Sequence, residues 1–216
     1  MRTGIHKIGF WSALIACIST LAYGIVQGLQ VINILSYPLD EILIYSTSLC
    51  IVVPFLLTMV ALHVVTVDDK QFWSLSALIF TVIYAVFVTA NYVVQLATVI
   101  PMTVNGDSET ITILKQTPHS LFWDFDAIGY ICMGLATLFA VPLFDSTGFQ
   151  RWVKYSLSAH ALVTPLIVMV YFYPIFSARL LLIGAPWAIT APLFMLFIAL
   201  YFKKCSPESS RQRSFT

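Results

Sequence analysis

The stretch that decides the fold is Ile42-Leu-Ile-Tyr-Ser-Thr-Ser-Leu-Cys-Ile-Val-Val-Pro-Phe-Leu-Leu-Thr-Met-Val-Ala-Leu-His-Val-Val65, which holds no Asp, Glu, Lys or Arg and lies between Asp40-Glu41 and Asp68-Asp69-Lys70. Crossing about 30 Å of hydrocarbon takes roughly 20 mostly apolar helical residues, because lipid offers no partner to an unpaired backbone N–H or C=O. The segment is long and apolar enough to cross. Five other stretches pass the same test: Ile8–Ile34, Phe72–Ile100, Leu121–Phe144, Trp152–Phe172 and Leu180–Phe202. Pro38, Pro101, Pro118 and Pro174 fall at or near the ends of these spans, where a missing N–H costs little. The expected fold is therefore all-α: a polytopic transmembrane bundle of about six helices over residues 1–204, followed by a flexible cytoplasmic tail over 205–216.

Composition excludes several classes. Of 216 residues, 59% are hydrophobic and only 10% charged, too little polar surface to cover a water-soluble globule. A net charge of +1, with the basic residues scattered between apolar segments, argues against a nucleic-acid partner. The chain shows no Walker loop, dinucleotide fingerprint, metal-ligand spacing or Ser-His-Asp motif, so no cofactor and no metal are expected. Cys17, Cys50 and Cys132 lie within spans and Cys205 follows Lys204, a pattern that is no disulfide framework.

Basic residues set the orientation, since Lys and Arg are retained on the cytoplasmic side. With the N-terminus inside, nine of the eleven are cytoplasmic, and only Lys115 and Arg179 are outside. Both termini are thus expected in the cytoplasm, and the chain in a plasma or inner cell membrane. Gly24 and Gly28 form a G-x-x-x-G pair on the first span, a surface for close helix packing within the chain or between two copies.

Polar residues inside spans are costly and mark candidate sites. Tyr23, Gln27 and Gln30 share one face of the first span, and Tyr84, Asn91 and Gln95 one face of the third. His119, Trp123, Asp126 and Tyr130 form a stripe at the start of the fourth, whose helix opens at Thr117-Pro118. All lie toward the expected outer side. Asp124 projects about 200° away from Asp126 and is given to a neighbouring helix or to Arg179. A helix dipole that favours carboxylates in a first turn is the plain explanation for both acids, and interhelical bonding is the plain one for the amides. His63 and His160 are expected to serve packing.

Pro54, Pro165, Pro186 and Pro192 are expected to kink their helices. Phe10-Trp11 precedes Pro54 by nearly the interval that separates Phe122-Trp123 from Pro165, a faint echo of an inverted three-span repeat. Ala90-Asn91-Tyr92-Val93-Val94-Gln95-Leu96, Ser120-Leu121-Phe122-Trp123 and Ile128-Gly129-Tyr130 resemble segments of uncharacterised small six-span membrane proteins of prokaryotes. That resemblance implies the architecture and no activity.

Three functions stay open. The first is a small transporter or ligand-binding protein taking a small solute or proton into an outward-facing polar pocket around Asp126. The second is an intramembrane enzyme using Asp126 as an acid on a lipid-like substrate. The third is a non-catalytic accessory subunit held in the lipid bilayer.

Overall fold

The computed structural model describes residues 2–107 and 111–205, and the expected tail beyond Cys205 lies outside them. Six helices are long and apolar enough to cross a membrane, and no strand occurs among the described residues. They are α1 (Arg2–Val31), α2 (Leu39–Val65), α3 (Gln71–Val94), α4 (Leu121–Ala140), α5 (Gln150–Phe172) and α6 (Trp187–Lys204). A wide π turn at Gln95–Val99 and a further helical turn at Ile100–Val104 prolong α3. A short helix, Ala178–Gly184, precedes α6.

Each helix packs on the next in sequence, and α6 returns to α1, so the up-and-down chain closes into a ring. Aromatic side chains fill its middle. Phe55 on α2 meets Tyr84 on α3 edge-on at 5.6 Å and Phe194 on α6 at 5.9 Å, and both Phe55 and Phe194 are fully buried. The outside is the reverse of a soluble protein's. Ile8, Ile15, Ile18 and Ile25 of α1, like Val82 and Val86 of α3, are largely exposed, which is favourable only where lipid is the solvent. The polar residues instead turn inward: Thr20, Ser48, Thr58, Asn91, Gln95, Asp126 and His160 are all buried. Several buried hydroxyls are satisfied within their own helix, as where Thr58 donates to the carbonyl of Pro54 and Thr81 to that of Ala77, both at 2.8 Å.

The boundaries depart from expectation at three places, each for a local reason. The third helix runs past Ile100 to Val104, because the π turn before Pro101 opens the backbone where the ring would meet the carbonyl of the preceding turn. The fourth span starts at Leu121 as expected, but its helix starts there too and not at Thr117-Pro118, since Ser120 is its N-cap and accepts the N–H of Trp123 at 3.2 Å. The sixth span is interrupted between Gly184 and Trp187, where Pro186 restarts the helix.

Close helix approach lies elsewhere than the Gly24/Gly28 pair. A Cβ on Gly24 would sit an ordinary 3.8 Å from Ala188, and one on Gly28 would meet nothing within 4 Å. The tight contacts are Gly9 against the Phe202 ring, Gly129 against Val88 and Gly134 against Thr164, the first two with a Cβ clearance of 2.6 Å. His63 joins α2 to α3 through Ser74 at 2.8 Å, and His160 joins α5 to the first turn of α6 through Thr190 at 3.0 Å. The two Phe-Trp pairs do not occupy matching places, for Trp11 is 57% exposed and Trp123 only 9%. Of the four cysteines, Cys17 and Cys132 are buried, Cys50 and Cys205 are exposed, and all are free.

At the end carrying the termini, Lys70 donates to the carbonyl of Leu143 at 3.2 Å and pairs with Asp145 at 3.1 Å, tying the turn before α3 to the turn after α4. The opposite end carries residues 32–38, 105–107, 111–120 and 173–177. It is called the distal end below.

Candidate functional site

The site is built around Asp126, in the second turn of α4 and only 4% exposed. Its Oδ1 accepts a hydrogen bond from the Tyr92 hydroxyl at 2.6 Å and a long one from the Asn91 amide at 3.4 Å, and its Oδ2 accepts from the Tyr171 hydroxyl at 2.5 Å. A carboxyl group so far from water needs such donors, because its desolvation is otherwise uncompensated. No cation pairs with it among the described residues. The donors come from α3 and α5, so Asp126 on α4 holds three consecutive helices of the ring together.

The network continues from both sides. Tyr92 and Tyr130 share a hydrogen bond at 3.0 Å, and Tyr130 lies 3.5 Å from the Ser48 hydroxyl on α2. Asn91 also donates to Gln116 Oε1 at 3.0 Å. Gln116 belongs to the distal loop, and its backbone N–H is held by Gln95 Oε1 at 3.2 Å, while Gln95 Nε2 donates to the carbonyl of Leu114 at 2.8 Å. The π turn that begins at Gln95 gives the helix one residue more than a regular turn. In this position it sets Gln95, 1% exposed, against the returning loop rather than toward lipid. Ile111, 2% exposed, seats the same loop in the bundle.

Beside this loop opens a cleft of about 100 Å³, lined by Tyr37, Glu41, Tyr45, Gln95, Val99, Thr103, Lys115, Gln116 and Thr117. Two routes lead from it to Asp126. Gln116 lines the cleft and receives the amide of Asn91, and Tyr45 lines the cleft with its ring 5.2 Å from that of Tyr92.

The residues singled out in the sequence fall into three groups. Asp126, Tyr130, Asn91 and Gln95 come together as described. Trp123 is adjacent but faces Tyr171: the two rings lie 4.6 Å apart and the indole N–H donates to the Tyr171 carbonyl at 3.3 Å, so it positions a donor to Asp126 rather than touching the carboxyl. Gln27 and Gln30 make a separate ladder, in which Tyr23 donates to Gln27 at 3.2 Å, Gln27 to Gln30 at 3.0 Å, and Gln30 to Asp40 on α2 at 2.9 Å.

Two expectations fail on geometry, the shared face of His119 and the pairing of Asp124 with Arg179. His119 precedes the helix, is exposed, and adopts the left-handed conformation with φ 65°, so it does not share a helical face with Asp126. Asp124 is exposed in the first turn of α4, where the helix dipole accounts for it. Arg179 is exposed as well, and no ion pair joins it to Asp124.

Sequence reading missed Tyr92, Tyr171, Tyr45, Gln116, Glu41 and Lys115. A signal existed for Lys115, one of only two basic residues on the expected outer side, and for Tyr92, which lies three residues from Gln95 on one helical face. Tyr171 and Gln116 had none, because their roles depend on how α5 and the loop return to the bundle. Among the described residues no group of three His, Cys, Asp or Glu side chains gathers as a metal site would require. No known protein family, curated protein or solved structure matches the chain, and the likeness to small six-span prokaryotic proteins therefore assigns no family.

Proposed function

We propose that this chain is a small transporter or ligand-binding membrane protein that takes up a small polar solute in the distal cleft, above the Asp126 network. The observation that carries the reading is the connection itself. A buried carboxyl group, held by Tyr92, Tyr171 and Asn91, is linked through Gln116 to a cleft lined by polar and charged side chains. A carboxyl needed only to join helices would have no reason to be wired to a loop that borders an opening. With the termini in the cytoplasm, as the basic residues imply, the cleft faces the exterior.

A solute seated there replaces water around Gln116 and Gln95, and the change reaches Asp126 through Asn91, whose amide donates to both Gln116 and Asp126. Binding and the packing of α3 against α4 are thereby coupled. The test is native mass spectrometry of the full chain purified in mild detergent, with small polar solutes supplied. Wild type is expected to keep a small-molecule adduct that Gln116→Ala loses. Lipid adducts alone, identical in the two proteins, would remove the reading.

A further inference from the structure

Glu41 sits in the first turn of α2 and Lys115 in the loop between α3 and α4, and both line the distal cleft. Each is half-buried. They attract one another across the opening, yet no ion pair closes between them. Two opposite charges that share a narrow, partly dehydrated space without touching are poorly satisfied: each has lost part of its hydration and neither has gained a contact partner. The Thr103 hydroxyl, a third member of the lining, is buried and has no hydrogen-bond partner. Gln95 and Gln116 border the same space.

We propose that the cleft selects a small zwitterion, with the ammonium group of the ligand against Glu41, its carboxylate against Lys115, and the Thr103 hydroxyl as a further donor to the carboxylate. This rests on the solute-binding reading above and names its substrate class. Charge complementarity supports it, because a zwitterion offers a partner to each of Glu41 and Lys115, whereas a simple cation or anion meets one and leaves the other unmatched in a confined site, and the buried Asp40 carboxylate beside Glu41 adds to the pull on the ligand's ammonium group. Size supports it too: about 100 Å³ holds a few ordered waters or one molecule of a few heavy atoms, not a lipid or a peptide. Tyr45 and Val99 provide the apolar part of the wall, suited to a short methylene chain between the two charged ends.

The experiment is thermal unfolding of the full chain in mild detergent with glycine, β-alanine, 4-aminobutyrate, propionate, ethylammonium or propionamide. At about 100-fold excess over its Kd, one of the three zwitterions is expected to raise Tm by roughly 5–11 °C. Glu41→Gln and Lys115→Gln should each abolish that rise while melting cooperatively without ligand. Should either single variant fail to fold, the exchange Glu41→Lys with Lys115→Glu keeps both charges, and zwitterion protection should persist in it. Protection of wild type by propionamide or a singly charged probe, undiminished in both charge variants, overturns the zwitterion assignment and leaves the solute-binding cleft standing. If none of the three zwitterions protects, the assignment also fails, and whether the other probes protect decides the solute-binding reading separately.

Discussion

Replacing Asp126 with Leu removes a buried acceptor from three donors, but the cost is not three times that of one lost bond. Tyr92 keeps its bond to Tyr130 at 3.0 Å, and Asn91 keeps Gln116 at 3.0 Å. Only the Tyr171 hydroxyl is left without a partner. An orphaned polar group costs about 1–3 kcal/mol, so the expected destabilisation of Asp126→Leu lies in that range, or roughly 2–12 °C in Tm for a chain of this size. Asp126→Asn should cost less, because its amide oxygen still accepts from one tyrosine and the other hydroxyl can turn to accept from the new NH2. Asp124→Asn, at an exposed first-turn position, should change stability by about 1 kcal/mol at most. The sharper test adds Tyr171→Phe to Asp126→Leu. The double variant should recover most of the loss, since the orphan is gone, although Tyr171→Phe alone destabilises by stripping a donor from a buried carboxyl group. The assay is reversible thermal unfolding in mild detergent, followed by circular dichroism. Equal shifts for the Asp124 and Asp126 variants, or a Tyr171→Phe cost that simply adds to that of Asp126→Leu, would refute the reasoning.

Other expectations follow from single contacts. A membrane-impermeant thiol reagent applied outside sealed cells should label a cysteine placed at Asn105 and miss Cys205; the opposite pattern would invert the orientation and turn the cleft toward the cytoplasm. Gly134→Ala places a methyl group against Thr164 Oγ1 and should cost about 1–3 kcal/mol by overpacking, whereas Gly134→Ala with Thr164→Ala should lose little, because the Thr164 hydroxyl is buried without a partner and can be spared. Comparable melting of the single and double variants would show that α4 and α5 are not in close contact there. Lys70→Ala should lower stability by no more than about 1 kcal/mol and by less in high salt, since Asp145 is 62% exposed; a larger, salt-independent loss would place this pair in a drier setting than it occupies.

The spans were legible because length and hydropathy alone decide whether a segment can cross lipid, and nothing in the tertiary structure can override that for Leu39–Val65 or Gln150–Phe172. Asp126, Asn91 and Gln95 were legible for the related reason that polar groups at such depth must find one another. His119 was misplaced because periodicity was carried past the true start of the helix, which the Ser120 side chain sets. Tyr171 and Gln116 were invisible: a tyrosine at a helix end and a glutamine in a loop are ordinary residues until the chain brings them to Asp126. Gln27 and Gln30 show that a shared helical face identifies bonding partners without saying which cluster they join, for their ladder ends at Asp40 and not at Asp126.

The closure of the ring has a consequence for how the protein is made. Every helix touches its predecessor, so as spans leave the insertion machinery one after another, each new arrival finds its partner already in the bilayer, and four of the six interfaces can form before α6 arrives. The other two cannot. Contact of α6 with α5 and with α1 closes the ring, and on the α1 side it is clasped where the Phe202 ring lies against the bare backbone of Gly9. Until that moment the buried tyrosines line an open trough rather than a sealed interior. A bulkier residue at Gly9 would thus spare the early, sequential pairing and press on the Phe202 ring in the final act of assembly, weakening the closure of α6 on α1.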